Sequence, residues 1–244
     1  MSTHTDVLLQ LQGVHTHIGA YHILHGVDLQ VPRGQLTMLL GRNGAGKTTT
    51  LRTIMGLWQA SQGTIHFNGE EITRLHTPQI AQKNIAYVPE NMGIFSDLTV
   101  KENMLLAARS ASHAGQMDEQ RLQWIFQLFP AVEKFWNHPA GKLSGGQKQM
   151  VAVARAIVEP RDLLIIDEPS KGLAPAIINN MIDAFQQLKQ AGVTILLVEQ
   201  NINFAKRLGD TVAVMDNGVV VHTGSMAELA QNETLQQSLL GLAL

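Results

Sequence analysis

The ten residues GRNGAGKTTT, at positions 41–50, decide the fold class of this chain. They match the spacing G-x-x-x-x-G-K-[ST], in which backbone N–H groups of a glycine-rich loop surround phosphate oxygens. The apolar run LTMLL at 36–40 precedes them, and a helical run follows from Lys47 to about Leu57. The stretch therefore predicts a nucleoside-triphosphate site, with the lysine at the β and γ phosphates and a threonine on Mg²⁺. The predicted nucleotide contacts of this phosphate loop, residues 41–49, are Gly41, Arg42, Asn43, Gly44, Ala45, Gly46, Lys47, Thr48 and Thr49.

The stretch LLIIDEP at 163–169 supplies the second half of such a site, because two acids follow an apolar strand. Ligands of open α/β sheets bind at the carboxyl ends of the strands, where these acids stand. Asp167 is predicted to hold Mg²⁺ through its water shell, while Thr48 coordinates the ion. Glu168 is predicted to orient or deprotonate the attacking water, and Lys47 is the second predicted catalytic residue. A strand that ends in a solvated Asp-Glu pair without function is the alternative.

Composition narrows the class of protein. The chain has 244 residues, 45% hydrophobic and 16% charged, which is typical of a globular protein with one large domain. Its formal net charge of −2 gives no argument for binding nucleic acid. The absence of cysteine excludes disulfides and thiolate metal sites. The start MSTHTDVLLQLQG lacks the features of a secretory signal, and the longest apolar runs are strand-sized. We therefore expect a cytoplasmic protein.

The order of elements predicts an α/β fold. Short β-rich segments come first and predict an antiparallel subdomain, whereas the stretch 93–158 has helical patterns. The apolar runs DLLIID and VTILLVEQ predict buried parallel strands, joined by a crossover helix at 175–190. Asp-Asn-Gly at 216–218 predicts a hairpin turn, and Ser225 with Glu228 predicts the cap of a final helix. Thr99 and Glu102 predict a capping box ahead of the helical segment 103–110. We expect a single domain, 1–244, made of a nucleotide-binding core (1–92 and 159–244) and a helical insertion (93–158).

A second glycine-rich stretch, GKLSGGQKQM at 141–150, also predicts an anion-binding turn. Ser144 and Gln147 can form a capping box, so that a helix begins at Gly145 and Gly146 with free N–H groups in its first turn. One γ-phosphate can be held from two sides only if both turns face it. If the two turns lie on different faces of the chain, each must close on a partner's nucleotide in a dimer.

The order of motifs carries a family resemblance. LSGGQ ahead of DEP, after the phosphate loop, resembles the ATPase subunit of ABC transporters over nearly the whole chain. The resemblance implies a P-loop NTPase of the ABC type that binds ATP and Mg²⁺. It implies a head-to-tail dimer in which each ATP lies between one phosphate loop and the other subunit's signature turn, residues 144–147. It also implies two transmembrane permease subunits, an extracytoplasmic solute-binding protein, and a peripheral location on the cytoplasmic face of the inner membrane.

Four positions depart from the usual pattern of that family. Glu90 in YVPE replaces a glutamine, Gln200 in LLVEQN replaces a histidine, and Ala174 replaces an aspartate. Ile18 takes the place of the aromatic residue that stacks on adenine, and Tyr21, three residues later, is the predicted adenine contact. We predict Glu90 as a ligand of Mg²⁺ or its waters. Gln200 is predicted to donate a hydrogen bond to the γ-phosphate or the water, although an amide cannot become cationic.

These departures together resemble one branch, the importers of branched-chain and other hydrophobic amino acids. In that branch one ATPase subunit carries VPE, DEPSxGLAP and LVEQN, while its partner keeps the histidine. We hypothesise that a homodimer of this chain is slow and that a heterodimer restores full turnover. The alternatives are a urea or short-chain amide importer, a decayed ATPase, or a weakly hydrolysing regulatory module. A DNA-maintenance or ribosome-associated ABC ATPase is disfavoured, because coiled-coil arms, a second cassette and basic surfaces are missing from the sequence.

The apolar tract NMGIFSDLTV at 91–100, here called the coupling loop, joins the strand before Glu90 to the helical insertion. In the family the corresponding groove receives a helix of the membrane subunit. Met92, Ile94, Phe95 and Leu98 are the predicted socket residues. Simple packing of the insertion onto the core is the alternative for each of them.

Overall fold

The computed structural model describes residues 6–108 and 117–241. The predicted features of the chain start, 1–5, and the last residues of the predicted helical segment 103–110 lie outside the described residues. In chain order the strands are β1 (Val7–Ile18), β2 (Tyr21–Pro32), β3 (Leu36–Gly41), β4 (Ala60–Phe67), β5 (Glu70–Glu71), β6 (Ile85–Val88), β7 (Leu163–Asp167), β8 (Thr194–Glu199), β9 (Thr211–Asp216) and β10 (Val219–Ser225). The helices are α1 (Lys47–Ile54), α2 (Thr77–Gln82), α3 (Val100–Ala107), α4 (Glu119–Leu128), α5 (Pro130–Lys134), α6 (Gly145–Ala156), α7 (Pro175–Gln190), α8 (Ile202–Leu208), α9 (Met226–Gln231) and α10 (Glu233–Leu240), with a 3₁₀ turn at Ala140–Lys142.

The strands form two sheets. An antiparallel sheet has the order β2-β1-β4-β5, and a six-stranded sheet has the order β10-β9-β3-β8-β7-β6. In the larger sheet β10 is antiparallel to β9, whereas every other pair of neighbours is parallel. The prediction of an α/β fold with an antiparallel β subdomain is therefore confirmed.

The larger sheet is buried on both faces, which explains why its central strands are apolar throughout. Side chains that alternate along a strand enter two different cores. In β3, Met38 and Leu40 pack with residues of α6, α7 and α8 on one face. Leu39 packs on the other face with residues of β1, β2 and α1. The larger sheet is thus packed between the helices and the antiparallel sheet. Its carboxyl edge anchors the loops that follow the strands.

Several helices begin where the sequence predicts. Thr99 caps α3 and Ser144 caps α6, each in a capping box, and the crossover helix has the predicted bounds 175–190. Helix α1 ends at Ile54 instead of near Leu57, because Gly56 adopts a φ of +67° just beyond it.

Three helical features differ from the prediction. Helices α2 and α8 were not predicted. The single final helix that we expected after Ser225 is two helices, α9 and α10, because Asn232 ends the first and accepts a hydrogen bond from Leu235 N at the start of the second. Between 93 and 158 the described residues contain α3 to α6, in agreement with the predicted helical character, while the division into subdomains stays a prediction.

Candidate functional site

The candidate site lies at the carboxyl edge of the larger sheet, where four parallel strands end side by side. The register places Leu40 of β3 beside Glu199 of β8, and Val198 beside Asp167 of β7. Strand β6 follows, with Val88 beside Ile166. The phosphate loop, the acidic pair 167–168 and Gln200 therefore emerge from adjacent strands, as ligand sites of open α/β sheets require.

The phosphate loop is packed too closely for side chains at two of its glycines. Gly41 has a φ of +151°, and a Cβ there would lie 2.4 Å from the carbonyl oxygen of Met215. Gly46 has a φ of +106° and precedes α1, and its Cβ would lie 3.0 Å from Leu24 Cδ2. These contacts hold the loop against β2 and β9, so that α1 begins with free N–H groups towards the site.

The β9–β10 hairpin turn supports the same loop. Asn217 and Gly218 have φ values of +46° and +79°, as the predicted Asp-Asn-Gly turn requires. Gly218 N donates to Ala45 O at 2.9 Å, and His25 N donates to Gly218 O at 2.9 Å. One glycine thus connects the phosphate loop, the hairpin and the antiparallel sheet.

Lys47 lies buried at the centre of the phosphate loop. Its Nζ donates to the carbonyl oxygens of Gly41 at 2.9 Å and Arg42 at 3.0 Å, and lies 3.7 Å from Glu168 Oε1. Burial lowers the pKa of Lys47, while the charges of Glu168 and Asp167 act in the opposite direction. The side chain is therefore held in place before any phosphate arrives.

Asp167 has the properties of a cation ligand. Its Oδ1 accepts a hydrogen bond from Thr48 Oγ1 at 3.2 Å, while its buried Oδ2 has no hydrogen-bond partner among the described residues. Burial, followed by the charges of Glu168 and Glu90, raises the pKa of Asp167 to about 6, although the bond from Thr48 opposes this. The raised pKa means that nearby positive charge, including that of Arg52, only partly compensates this buried carboxylate. The pair of Thr48 and Asp167 therefore fits Mg²⁺, which takes oxygen ligands.

Glu168 is fixed from both sides, and its backbone has a φ of +48°. Gln200 Nε2 donates to its Oε1 at 2.5 Å and also to Asn43 Oδ1 at 2.6 Å. The Oε2 atom lies 3.3 Å from Lys171 Nζ. The structure thus brings together Lys47, Glu168 and Gln200, the three predicted catalytic residues, and places Asn43 beside them.

Three further residues of this site were missed in the sequence. Glu199 is buried and accepts hydrogen bonds from the backbone N–H groups of Ser170, Gln200 and Asn201, at 2.9, 3.2 and 3.3 Å. Burial raises its pKa, and a charged residue at the end of an apolar strand was a signal that could have identified it. Burial, then the charge of Asp167, raises the pKa of Tyr87 to about 12, so its hydroxyl stays protonated near the acids. The third residue is Lys171, which lies three positions after Glu168 and forms an ion pair with it.

The signature turn has a different environment. Ser144 is exposed and accepts from Gln147 N at 3.3 Å, while Gln147 Oε1 accepts from Ser144 N at 2.9 Å. A Cβ on Gly145 would meet nothing within 4 Å, whereas one on Gly146 would lie 2.7 Å from Ile177 Cγ2. Among residues 6–108 and 117–241, no hydrogen bond joins this turn to the phosphate loop. Helix α6 packs on α3, α5 and β6, while α1 packs on β2, β3 and β7.

Comparison with known proteins identifies the family. Residues 24–171, well over half of the chain, match the family described as ABC transporter. The chain belongs to the ABC transporter family. This ABC cassette is 39% identical over 237 residues to the high-affinity branched-chain amino acid transport ATP-binding protein BraG of Pseudomonas aeruginosa, covering 96% of the chain and 100% of that protein. It is 35% identical to the probable branched-chain amino acid transport ATP-binding protein LivF of Archaeoglobus fulgidus, covering 91% and 93%.

A solved structure confirms the fold of the cassette. The ADP conformation of an ATP-binding cassette of an ABC transporter superposes with a TM-score of 0.83 at 24% identity, covering 96% of this chain and 97% of that one. The predicted P-loop fold of the ABC type and the resemblance to ABC transporter ATPases are therefore confirmed. In residues 6–108 and 117–241, no helix has both the length and the apolar character needed to cross a bilayer.

The positions at which this ABC cassette departs from the family pattern have distinct environments. Glu90 Oε1 forms an ion pair with Lys171 Nζ at 2.5 Å. Tyr21 begins β2 with 76% of its surface exposed, and Ile18 is half-buried at the end of β1. Ala174 precedes α7 and provides no side-chain cap.

The coupling loop of the cassette is tied to the signature helix. Arg155, near the end of α6, donates to the carbonyl oxygens of Gly93 at 2.7 Å and Met92 at 3.2 Å. Its guanidinium lies 5.7 Å from the ring centre of Phe95, which is 53% exposed. Met92 and Ile94 pack partly against the helical core. Phe95 is thus the socket candidate that is most available to a partner, whereas Met92 and Ile94 also serve packing.

Proposed function

We propose that this chain is the ATP-hydrolysing subunit of an ABC importer. The convergence of Lys47 and Gln200 on the Glu168 carboxylate, beside the phosphate loop, is the observation that carries the proposal. The loop N–H groups and Lys47 bind the β and γ phosphates of ATP. Glu168 orients or deprotonates the attacking water, and Gln200 donates a hydrogen bond from Nε2 to that water or to the γ-phosphate.

The remaining predicted contacts are those with Mg²⁺ and with the adenine. Thr48 and Asp167 would hold Mg²⁺, which would neutralise phosphate charge when bound. The free Oδ2 atom and the raised pKa of Asp167 support this assignment. Glu90 would serve as a further ligand of the ion or its waters, and the ion pair with Lys171 partly offsets the charge of the Glu90 carboxylate. The exposed ring of Tyr21 stacks on the adenine.

Two cassettes enclose each ATP in this proposal. The signature turn of one subunit, with Ser144, Gly145, Gly146 and Gln147, closes on the phosphate loop of the other. The exposure of Ser144 and Gly145 supports this assignment, since no hydrogen bond among the described residues joins this turn to the phosphate loop of the same chain. The helical residues 93–158 form the insertion that carries this turn, within one cassette domain. The second cassette is another copy or, as we favour, a histidine-bearing partner subunit.

The proposed solute is a branched-chain or other hydrophobic amino acid. The full-length likeness to BraG and LivF, which are branched-chain amino acid transport ATP-binding proteins by name, supports this choice. The partners would be two transmembrane permease subunits and an extracytoplasmic solute-binding protein, with the cassette peripheral to the cytoplasmic face of the inner membrane. A urea or short-chain amide importer, which belongs to a related branch, is the second candidate.

Phosphate release tests the catalytic proposal. We expect measurable ATP turnover by the purified chain, and faster turnover after addition of a histidine-bearing partner cassette. Glu168→Gln should lower kcat by about 10²–10⁴-fold, the usual contribution of a general base, while MgATP binding persists. Binding without phosphate release in the complete assembly would favour a regulatory module. If Glu168→Gln turns over ATP as fast as the wild type, Glu168 is not the residue that orients or deprotonates the attacking water.

Solute uptake tests the proposed substrate. Proteoliposomes that contain both cassettes and the permease subunits should accumulate leucine or valine in an ATP-dependent manner when the binding protein is added. Urea and acetamide serve as matched solutes for the second candidate. ATP-dependent uptake of urea without uptake of leucine would replace the amino acid proposal and leave the ATPase proposal intact.

A further inference from the structure

Lys171 stands between two acids that belong to different loops. It lies three residues after Glu168 in the loop that follows β7, and its Nζ is 3.3 Å from Glu168 Oε2. The same nitrogen is 2.5 Å from Oε1 of Glu90, which lies just beyond β6. Because β6 and β7 are neighbours in the sheet, one side chain joins the two loops at the edge that holds the nucleotide site.

The charges around this lysine explain why a cation is needed there. Glu90, Asp167 and Glu168 place three carboxylates near the expected position of a triphosphate. Lys47 lies near the Oε1 side of Glu168, and Lys171 near Oε2 and Glu90. The Nζ atom of Lys171 lies within ion-pair distance of both Glu90 and Glu168, so one cation faces two carboxylates. Without it, the extra acid at position 90 would repel both Glu168 and the nucleotide.

The geometry also bears on the orientation of Glu168. Its Oε1 accepts from Gln200, whereas Oε2 faces Lys171, so the two ends of the carboxylate have different partners. The side chain of Glu168 is 9% exposed, and that of Lys171 is 58% exposed. A lysine at the surface is thus in a position to hold a nearly buried carboxylate in one rotation.

We propose that Lys171 is a positioning residue, which holds the Glu168 carboxylate and compensates the charge of Glu90, so that this cassette can carry an acid at position 90. The inference rests on the proposed function, since it takes Glu168 as the residue that activates water. The Lys171–Glu90 pair leads to one specific prediction. The loss of kcat on removing the lysine must depend on whether position 90 is charged.

A double-mutant cycle measures that dependence. The rates of phosphate release are compared for the wild type, Lys171→Gln, Glu90→Gln and the double variant, each assembled with the same partner cassette. Residues of one charged network couple strongly, so we expect Lys171→Gln to lower kcat by about tenfold in the wild type and only by about twofold in Glu90→Gln. The KM for ATP should change less than kcat, because the lysine acts through Glu168 and not on the phosphates.

Three controls make the result specific. Lys171→Arg restores a cation and should recover most of the kcat lost in Lys171→Gln. Lys206→Gln removes an exposed lysine of α8 and should leave kcat unchanged. Equal thermal unfolding midpoints for Lys171→Gln and the wild type exclude loss of the fold.

The outcomes separate this inference from the proposed function. An equal loss of kcat by Lys171→Gln in both backgrounds, or no loss in the wild type, would overturn the role of Lys171 even if Glu168→Gln abolishes turnover. If Glu168→Gln leaves turnover intact, the catalytic assignment fails, and the inference about Lys171 fails with it. If Lys171→Gln raises the KM for ATP by a larger factor than it lowers kcat, Lys171 contacts the nucleotide, and a positioning role is likewise contradicted.

Discussion

The phosphate loop and the signature turn are both glycine-rich starts of helices, yet they differ in what surrounds them. The phosphate loop, which includes Lys47, is packed against β2 and β9, and Asp167, Glu168 and Gln200 lie around it within the same chain. The signature turn is held by its own capping box and has open space above Gly145. The phosphate loop thus belongs to an assembled site, whereas the signature turn makes no hydrogen bond to that site among residues 6–108 and 117–241.

The surroundings of the two turns show that similar local sequences can have different structural roles. Glycine in the phosphate loop is required by contacts within the chain, as at Gly41 and Gly46. Glycine at 145 has no such contact among the described residues, and the proposed approach of a second cassette would give a reason for its small size. Changes in the two turns should therefore separate binding, folding and assembly.

The largest effect should come from the assembled site. Lys47→Met keeps the volume of the side chain but removes its charge, so we expect MgATP affinity and kcat/KM to fall by about 10²–10³-fold, as for loss of one preorganised charged donor. Binding of a fluorescent ATP analogue and phosphate release measure the two quantities. Wild-type affinity in a folded variant would show that the phosphate loop does not depend on its lysine.

The two glycines of the signature turn give a matched pair. Gly146→Ala places a methyl group 2.7 Å from Ile177 Cγ2 and should reduce the free energy of unfolding by about 1–3 kcal/mol, as overpacking does. Gly145→Ala meets no atom and should leave the stability of the isolated chain unchanged or slightly higher.

The same pair tests assembly. Gly145→Ala should lower ATP turnover in the assembled dimer, although it leaves stability intact. Urea unfolding and phosphate release distinguish the two substitutions. Full turnover by Gly145→Ala would mean that no partner approaches the open face of the signature turn.

Asp167 makes the stability of the assembled site depend on pH. Its ordinary pKa is 3.8 and its folded pKa is about 6, so the folded state binds the proton more tightly and loses stability as pH rises between these values. Between pH 4.5 and 7.5 this loss amounts to about 2 kcal/mol.

The contribution of Asp167 can be isolated by substitution. Asp167→Asn should be stabilised relative to the wild type by that amount more at pH 7.5 than at pH 4.5. Urea unfolding in EDTA without nucleotide measures the difference, and Asp183→Asn on α7 serves as the control. A difference that does not change with pH would show that Asp167 is not destabilised by its burial.

The smallest effect on the isolated chain should come from the coupling loop. Phe95→Ala removes an exposed ring and should change the free energy of unfolding by less than about 0.5 kcal/mol, as surface substitutions do. Uptake by the reconstituted transporter should nevertheless fall, because Arg155 connects this loop to the helix of the signature turn. Val221→Ala, an exposed apolar residue on β10, should leave uptake unchanged. Unchanged uptake by Phe95→Ala would assign the ring to packing.

Local chemistry explains most of what the sequence could predict. The capping boxes at Thr99 and Ser144 and the Asn-Gly turn are recognisable because each is fixed by residues within a few positions. Helix α2 escaped prediction because His76 is an unusual N-cap, with Gln79 supplying the acceptor for its N–H. Helix α8 is capped by Asn201, a preferred N-cap residue, which was missed because it directly follows the apolar run of β8.

The contacts between distant segments could not be read from local patterns. Lys171 and Glu90 are 81 positions apart and meet only because β6 and β7 are neighbours. The convergence of Lys47, Glu168 and Gln200 was predictable, since each follows a strand of a parallel sheet. Their hydrogen-bond partners depend on side-chain rotations that no sequence motif encodes.

The hairpin turn at Gly218 has a practical consequence for hydrogen exchange. The second amide of a two-residue turn commonly faces solvent, but here it donates to Ala45 O at 2.9 Å. Deuterium can replace this proton only when the phosphate loop separates from the turn and the hydrogen bond breaks. The exchange rate therefore measures how often this opening occurs. The amide of Gly218 is therefore a built-in reporter, and its exchange should slow when MgATP occupies the cassette.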